Sequence, residues 1–374
     1  MITAFLRAGL CVCLLPGVIP CQEALATIDP RPLVEIGHSD VDPADQLFAV
    51  SSARFLSDGS IVVAERHDAR ARMYDARGRH LVDLGGKGPG PGELSGGLIA
   101  LAVGKADTVL MLDEGGARLR YLASGRLIDH TPLRLPQLAD ARFNLVSWGI
   151  LPGGEFLLKG NERLFGASEG MHSQHFMVLV LSPRSGRLDT LGVFAEQDVM
   201  VRRGMPWPAA PVTPIAWAAG AGSDLWLGSA RDDVIRRYAI DGELRVAIER
   251  HQPRSEVTDA DIGEMVTDMV RRGATPNDRR VIREWATALP RADHAPAFRG
   301  IFVDRMERLW VERWPRTREG LSQWDVYAPS GHRVLTALGP KGLRITDARA
   351  GAVVGVGRDE DDRELVRVHP LRAP

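Results

Sequence analysis

The sequence predicts an all-β fold, a six-bladed β-propeller of four-stranded blades. A turn followed by a short apolar, β-branched run recurs six times. A second phrase follows five of those copies: an aromatic or apolar residue, a polar step, a glycine and a charged residue. Where nothing is inserted the copies lie roughly 45 residues apart, the period of a blade made of two hairpins.

The first phrase runs through Asp58–Val63, Ala106–Met111, Gly153–Leu158, Gly222–Leu227, Met306–Val311 and Ala350–Gly355. Gly and Asp tolerate the backbone of a tight turn, and an unbroken apolar run suits a strand buried on both faces. The second phrase occupies Tyr74–Arg79, Tyr121–Arg126, Leu181–Arg187, Tyr238–Glu243 and Tyr327–His332. It reads as the turn of an outer hairpin. Trp226 and Trp310 hold matching strand positions, which predicts packing between blades. The last unit supplies three strands, Leu343–Thr346, Ala352–Val356 and Glu364–Val368. The extended stretch Pro32–Ile36 is expected to add the fourth, closing the ring and removing open sheet edges.

Between the fourth and fifth blades, residues 255–290 read as a helical insertion. Ile262, Met265, Val266, Met269 and Val270 share one face, with Thr258 as cap and Asp261 at the third position. After Gly273 and Pro276 the stripe resumes as Val281, Ile282, Trp285, Ala288 and Leu289 and stops at Pro290. Long insertions of this kind are often lids or docking elements.

The leader has its own character. Residues 1–26 carry an apolar run from Ala8 to Ile19 and the small-x-small sequence Ala24-Leu25-Ala26, the pattern of a signal peptide cut after Ala26. The mature domain would be 27–374, periplasmic or extracellular. All three cysteines, Cys11, Cys13 and Cys21, precede that cut, so the mature chain would hold no thiol. Acylation of Cys21 is the alternative, opposed by Pro20 just ahead of it. Pro16 and Gly17 interrupt the run, and no transmembrane segment is expected.

Composition excludes some functions. The 374 residues are 44% hydrophobic and 25% charged with net charge −1, so no global field draws the chain to nucleic acid. Only four of the 47 basic residues are lysine. The chain is read as a monomer.

The chain resembles the secreted bacterial six-bladed β-propellers related to NHL repeats. The residues that carry the resemblance are "FLSDGSIVVAERHDARARMYDARGRHLVDLGGKGPGPGEL", "IFVDRMERLWVERW" and "GAVVGVGRDEDDRELVRVHPL", and it covers residues 30 to 374. It implies the fold, and a range of activities from binding scaffolds to lyases and lactonases. Related hydrolases and lyases hold a cation in the central channel, which needs three or four His, Asp, Glu or Asn side chains from different blades. The equivalent strand ends here are Glu65, Asp113, Gly160, Ser229, Arg313 and Gly357. Glu65, Asp113 and Arg313 are therefore the candidate ligand-binding residues at the channel mouth. They make an incomplete cage: no metal is assigned, and a divalent cation such as calcium is the one cofactor considered.

Other motifs carry less. His172 and His175 sit in what reads as a polar loop before a strand Phe176–Leu181. The run Asp359–Asp362 reads as a solvated hairpin turn, lacking the alternation of a calcium loop. "LGGKGPGPGEL", residues 84–94, is no phosphate cradle, because Lys87 is followed by Gly88 and two prolines delete amide donors. It reads as a crossover from the first blade to the second. With no Gly-x-Ser-x-Gly elbow and no catalytic set, the expected function is a binding or scaffold module for a protein, peptide or glycan. The alternative is a metal-dependent hydrolase or lyase working at the channel mouth.

Overall fold

Runs such as Ile61–Glu65 and Val109–Asp113 are buried along their whole length, so each needs cover on both sides and each is a central strand. The computed structural model describes residues 24–37, 46–164, 166–202, 205–209, 215–220, 222, 224–252, 255–272, 276–314, 320–340 and 342–372. Cys21, and all of the expected leader except Ala24–Ala26, lie outside them.

The fold is all-β and propeller-like, built from antiparallel runs of four strands. The first run is Val50–Phe55, Ile61–Glu65, Arg70–Tyr74 and His80–Gly85. The second is Leu98–Val103, Val109–Asp113, Ala117–Tyr121 and Leu127–Pro132. The third, Phe143–Ile150, Phe156–Glu162, Gly170–Leu181 and Leu188–Arg202, gains an edge strand, Met205–Pro208. The fourth is Ile215–Ala219, Asp224–Ser229, Val234–Ala239 and Leu244–Glu249.

The remaining strands form one nine-stranded sheet. Its fifth run is Phe298–Val303, Leu309–Arg313, Ser322–Tyr327 and Arg333–Gly339. Its last run is Arg344–Arg349, Ala352–Arg358 and Glu364–Arg372, with Val34–Ile36 on the outer side in the register Val34↔Val368. Ala24–Ile28 joins the two runs. It lies parallel to Arg333–Gly339, and Thr27 and Ile28 also pair with Arg372 and Leu371. In every run the repeated apolar phrase is the second strand.

The core lies between neighbouring runs. Val62, Ala64 and Leu84 meet Leu101, Val103 and Met111 between the first and second. Phe302, Trp310 and Trp324 meet Ile345 and Val353 between the fifth and last, where the Phe302 and Trp310 rings stack at 5.4 Å. Each Val, Leu, Ile, Met or Phe among these, once buried, contributes about 1.5–3 kcal/mol. Ile36, Val354, Val366 and Val368 pack against Phe55, Val63 and Tyr74, joining the last run to the first. First strands also touch: the Trp217 ring lies against Gly149, and Thr346 Oγ1 donates to the Ala53 carbonyl at 2.8 Å.

The second phrase forms the turn between third and outer strands. Gly78, Gly125, Gly186, Gly242 and Gly331 all take positive φ, from 68 to 95°, which a side chain resists. The segment after the first run is tied to itself: Glu93 accepts from Gly90 N at 2.7 Å, and Leu94, fully buried, plugs the core below.

The helical segment forms α1 (Asp259–Arg272) and α2 (Pro276–Ala288). The cap is as the sequence suggests: Thr258 N donates to Asp261 Oδ2 at 2.8 Å, and Asp261 N donates to Thr258 Oγ1 at 3.3 Å. Met265, Ala286 and Leu289 bury together, with Ile262, Val266 and Trp207 packed on them. Thus the helices rest on the added strand of the third run. Val281, expected on the buried stripe, is exposed, because Ala286 and Leu289 turn the packed face of α2 away from it.

Candidate functional site

In each run the first strand begins where the second ends, as in the pairs Val50↔Glu65, Leu98↔Asp113 and Phe298↔Arg313. Chain crossings link these ends: Leu98 N donates to Arg66 O at 2.8 Å, and Arg344 donates to Ser51 and Val50 carbonyls at 2.9 Å. We call this end the mouth. At the opposite end, the floor, Arg305 of the fifth run reaches Asp107 of the second at 3.0 Å. Asp107 also accepts from Ser57 N at 3.0 Å, so loops of three runs converge there.

The three sequence candidates end the second strands of their runs, and each is held by partners of its own. Glu65 is fully buried. Its Oε1 accepts from Phe48 N at 2.9 Å, and its Oε2 lies 3.0 Å from Arg70 and 2.6 Å from Arg72. Asp113, equally buried, accepts from Ser95 N at 3.0 Å and Gly96 N at 3.2 Å on Oδ2, and from Ala117 N at 2.5 Å on Oδ1. One oxygen of each carboxylate accepts from the incoming crossover of its own run, and the other faces the start of the third strand. Arg313 donates to Asp325 at 2.8 and 2.5 Å. Asp325 is 0% exposed and also holds Arg250 at 3.1 Å and Arg333 at 3.2 Å. Among the described residues no group of three or more His, Cys, Asp and Glu side chains is placed to hold a metal ion.

A cavity of about 430 Å³ opens at the mouth between the second and third runs. Ile99 and Val146 on the two first strands, with Leu133 and Leu135 on the crossover between them, supply apolar walls. Glu114, Gly115, Gly116 and Ser147 complete the lining. The wall is built locally. Asp113 fixes the turn through Ala117 N, and Gly116, at φ 83°, accepts from Leu133 N at 2.6 Å. Glu114 stands at the lip, held by Arg66 at 2.9 Å, both side chains about half exposed. Leu135 remains 45% exposed, a large apolar surface facing water. Sequence reasoning missed these side chains. The available signal was a pair of leucines within the proline-bounded crossover Pro132–Pro136.

Away from this cavity, α1 is tied to the fifth run. Glu264 of α1 pairs with Arg299 at 2.6 Å, and the Arg299 guanidinium lies 4.7 Å from the Trp314 ring. Trp314 Nε1 in turn donates to Asp261 at 3.2 Å. Asp198, on the long third-run hairpin, pairs with Arg231 of the fourth run at 3.0 Å. His172 and His175 lie within the strand Gly170–Leu181, not in a loop, because that hairpin continues past its sheet. A separation of three puts them on opposite faces of the strand. His172 meets the Ser168 carbonyl at 2.7 Å, and His175 Nδ1 meets Glu162 at 3.1 Å.

Burial perturbs one acid strongly. Asp347, on the first strand of the last run, is pushed up to about 6 by desolvation, which outweighs the opposing Arg54 charge and the amides of Phe55 and Ala348. It accepts from Phe55 N at 2.9 Å and Ala348 N at 2.8 Å.

No family model matches the sequence, and no curated protein matches it. Solved structures do. A protein from Bacteroides fragilis described as exported aligns at TM-score 0.51 and 12% identity, covering 93% of this chain and 95% of that one. A member of the DUF4221 family from Bacteroides vulgatus aligns at TM-score 0.51 and 9% identity, covering 93% and 98%. At such identities the likeness shows the fold alone. Among the described residues no helix is long and apolar enough to cross a membrane.

Proposed function

We propose that this chain is an exported six-bladed β-propeller, related to the NHL-repeat type, that binds a protein, peptide or glycan at its mouth. The ring reading is supported by the unbroken sequence of neighbours. Apolar clusters join each run to the next, and the last returns to the first through Ile36, Val354 and Val368 on Phe55 and Tyr74. In this reading the nine-stranded sheet is two blades stitched by Ala24–Ile28, and Val34–Ile36 is the outer strand of the sixth. The Arg305–Asp107 pair then spans the floor, which leaves the mouth as the accessible end.

The observation that carries the binding role is the cavity between the second and third runs. It combines apolar walls with one carboxylate at the lip and an exposed Leu135, a lining that suits a bound apolar side chain or ring. Asp113 acts there as a positioning residue for the Gly115–Gly116 wall, and Glu65 does the same for its own crossover.

Peptide and glycan arrays test the reading. Wild type is compared with Leu135→Glu in the cavity and Met306→Glu, an exposed residue on a floor turn. Binding by wild type and Met306→Glu that Leu135→Glu loses at least tenfold supports the site. Equal loss at the floor, or no loss in either variant, refutes it.

A further inference from the structure

The small-x-small sequence Ala24-Leu25-Ala26 has a packing explanation that competes with its reading as a peptidase site. In the strand Ala24–Ile28, side chains alternate across the sheet. Ala26 is 0% exposed and Ala24 is partly buried, both against the cluster of Trp324, Leu335 and Ala337. Leu25, between them, is 53% exposed. Ala26 lies beside Ala337 in register, and Ile28 follows it on the same inward face.

The pairing is not incidental. Ala24, Leu25, Ala26 and Thr27 match Leu335, Thr336, Ala337 and Leu338 in parallel. Asp29 N then donates to the Pro370 carbonyl at 2.9 Å, and the Asp29 carbonyl meets His369 Nδ1 at 2.8 Å. One short segment therefore covers the outer edge of the fifth run and grips the end of the last. Cleavage after Ala26 would remove three of the four parallel pairs.

We infer that the leader is cut ahead of Ala24 and that Ala24–Ile28 stays in the mature protein as a stitch between its last two sheets. This rests on the export reading. The full chain, expressed with its own leader in a bacterium that exports it, is purified and its first residue found by mass measurement and N-terminal sequencing. A first residue beyond Met1 but no later than Ala24, acylated Cys21 included, supports the inference. A start at Leu25 or later overturns it while leaving export intact, whereas an uncut chain overturns the export reading as well. Purified chains beginning at Ala24 and at Thr27 give a second measure. The longer is expected to unfold at a temperature about 2–4 °C higher, and equal unfolding temperatures overturn the stitch.

Discussion

Gly78 lies directly against Val34: a Cβ at Gly78 would stand 2.7 Å from Val34 Cγ1. The same relation recurs along the chain. A Cβ at Gly125 would stand 2.9 Å from Val82, and one at Gly331 would stand 2.7 Å from Val246. Each turn glycine thus receives a side chain from the outer strand of the preceding run. Val34 fills that role for the first run although it precedes it in sequence. Gly186 is different, with positive φ but nothing within 4 Å of a built Cβ.

Alanine at these glycines separates backbone strain from crowding. Gly186→Ala should cost about 1 kcal/mol, the price of a side chain at positive φ. Gly78→Ala and Gly125→Ala add a clash with a β-branched neighbour and should cost about 2–3 kcal/mol. Urea denaturation at constant m-value measures all three.

Asp347 should make stability depend on pH in the direction opposite to most paired acids. Its folded value, about 6, exceeds the ordinary 3.8, so folding takes up a proton between those values. The stabilising contribution is therefore full below about pH 4, and it fades as pH rises through 6. The loss by pH 7 is on the order of 2–3 kcal/mol. Asp347→Asn should flatten that part of the stability–pH curve, read by denaturation from pH 4 to 8. A wild-type curve that climbs from pH 5 to 7, with the variant parallel to it, would count against the assignment.

The cluster around Asp325 should respond unevenly to truncation. Removing the carboxylate in Asp325→Ala leaves Arg250, whose side chain is 2% exposed, without its closest ion-pair partner, a loss of about 3–5 kcal/mol. Arg333→Ala, with its side chain at the edge of solvent, should cost under about 1 kcal/mol. Thermal unfolding of the two variants checks the order.

The Arg305–Asp107 pair predicts that the floor and the mouth are energetically separate. Both side chains are largely but not wholly buried, and Asp107 keeps its Ser57 amide. Arg305→Ala should cost about 1 kcal/mol, and array binding at the mouth should be unchanged.

Periodicity made the strands legible: apolar runs such as Ile61–Glu65 and Val109–Asp113 announce burial on both sides, and Gly78 or Gly331 announces a turn. Thr258 and Asp261 announced α1. Side-chain direction was not legible. The carboxylates of Glu65 and Asp113 end equivalent strands, but which way they point depends on crossover loops whose path no local pattern gives. Arg313 was found, whereas its partner Asp325 lies between Trp324 and Val326 in the third strand and gave no signal. The strand Ala24–Ile28 was hidden because alternating small residues serve a peptidase and a tight sheet contact alike. Cavity walls such as Ile99 and Val146 read as ordinary core, since only the gap between two sheets leaves them open.

The most direct test of the binding account is a crystal structure of the purified protein with its strongest array ligand. The account predicts the ligand between the second and third runs, in contact with Leu135, Val146 and Glu114. A ligand seated on the Arg305–Asp107 floor, or on the outer strands with the cavity empty, would contradict it.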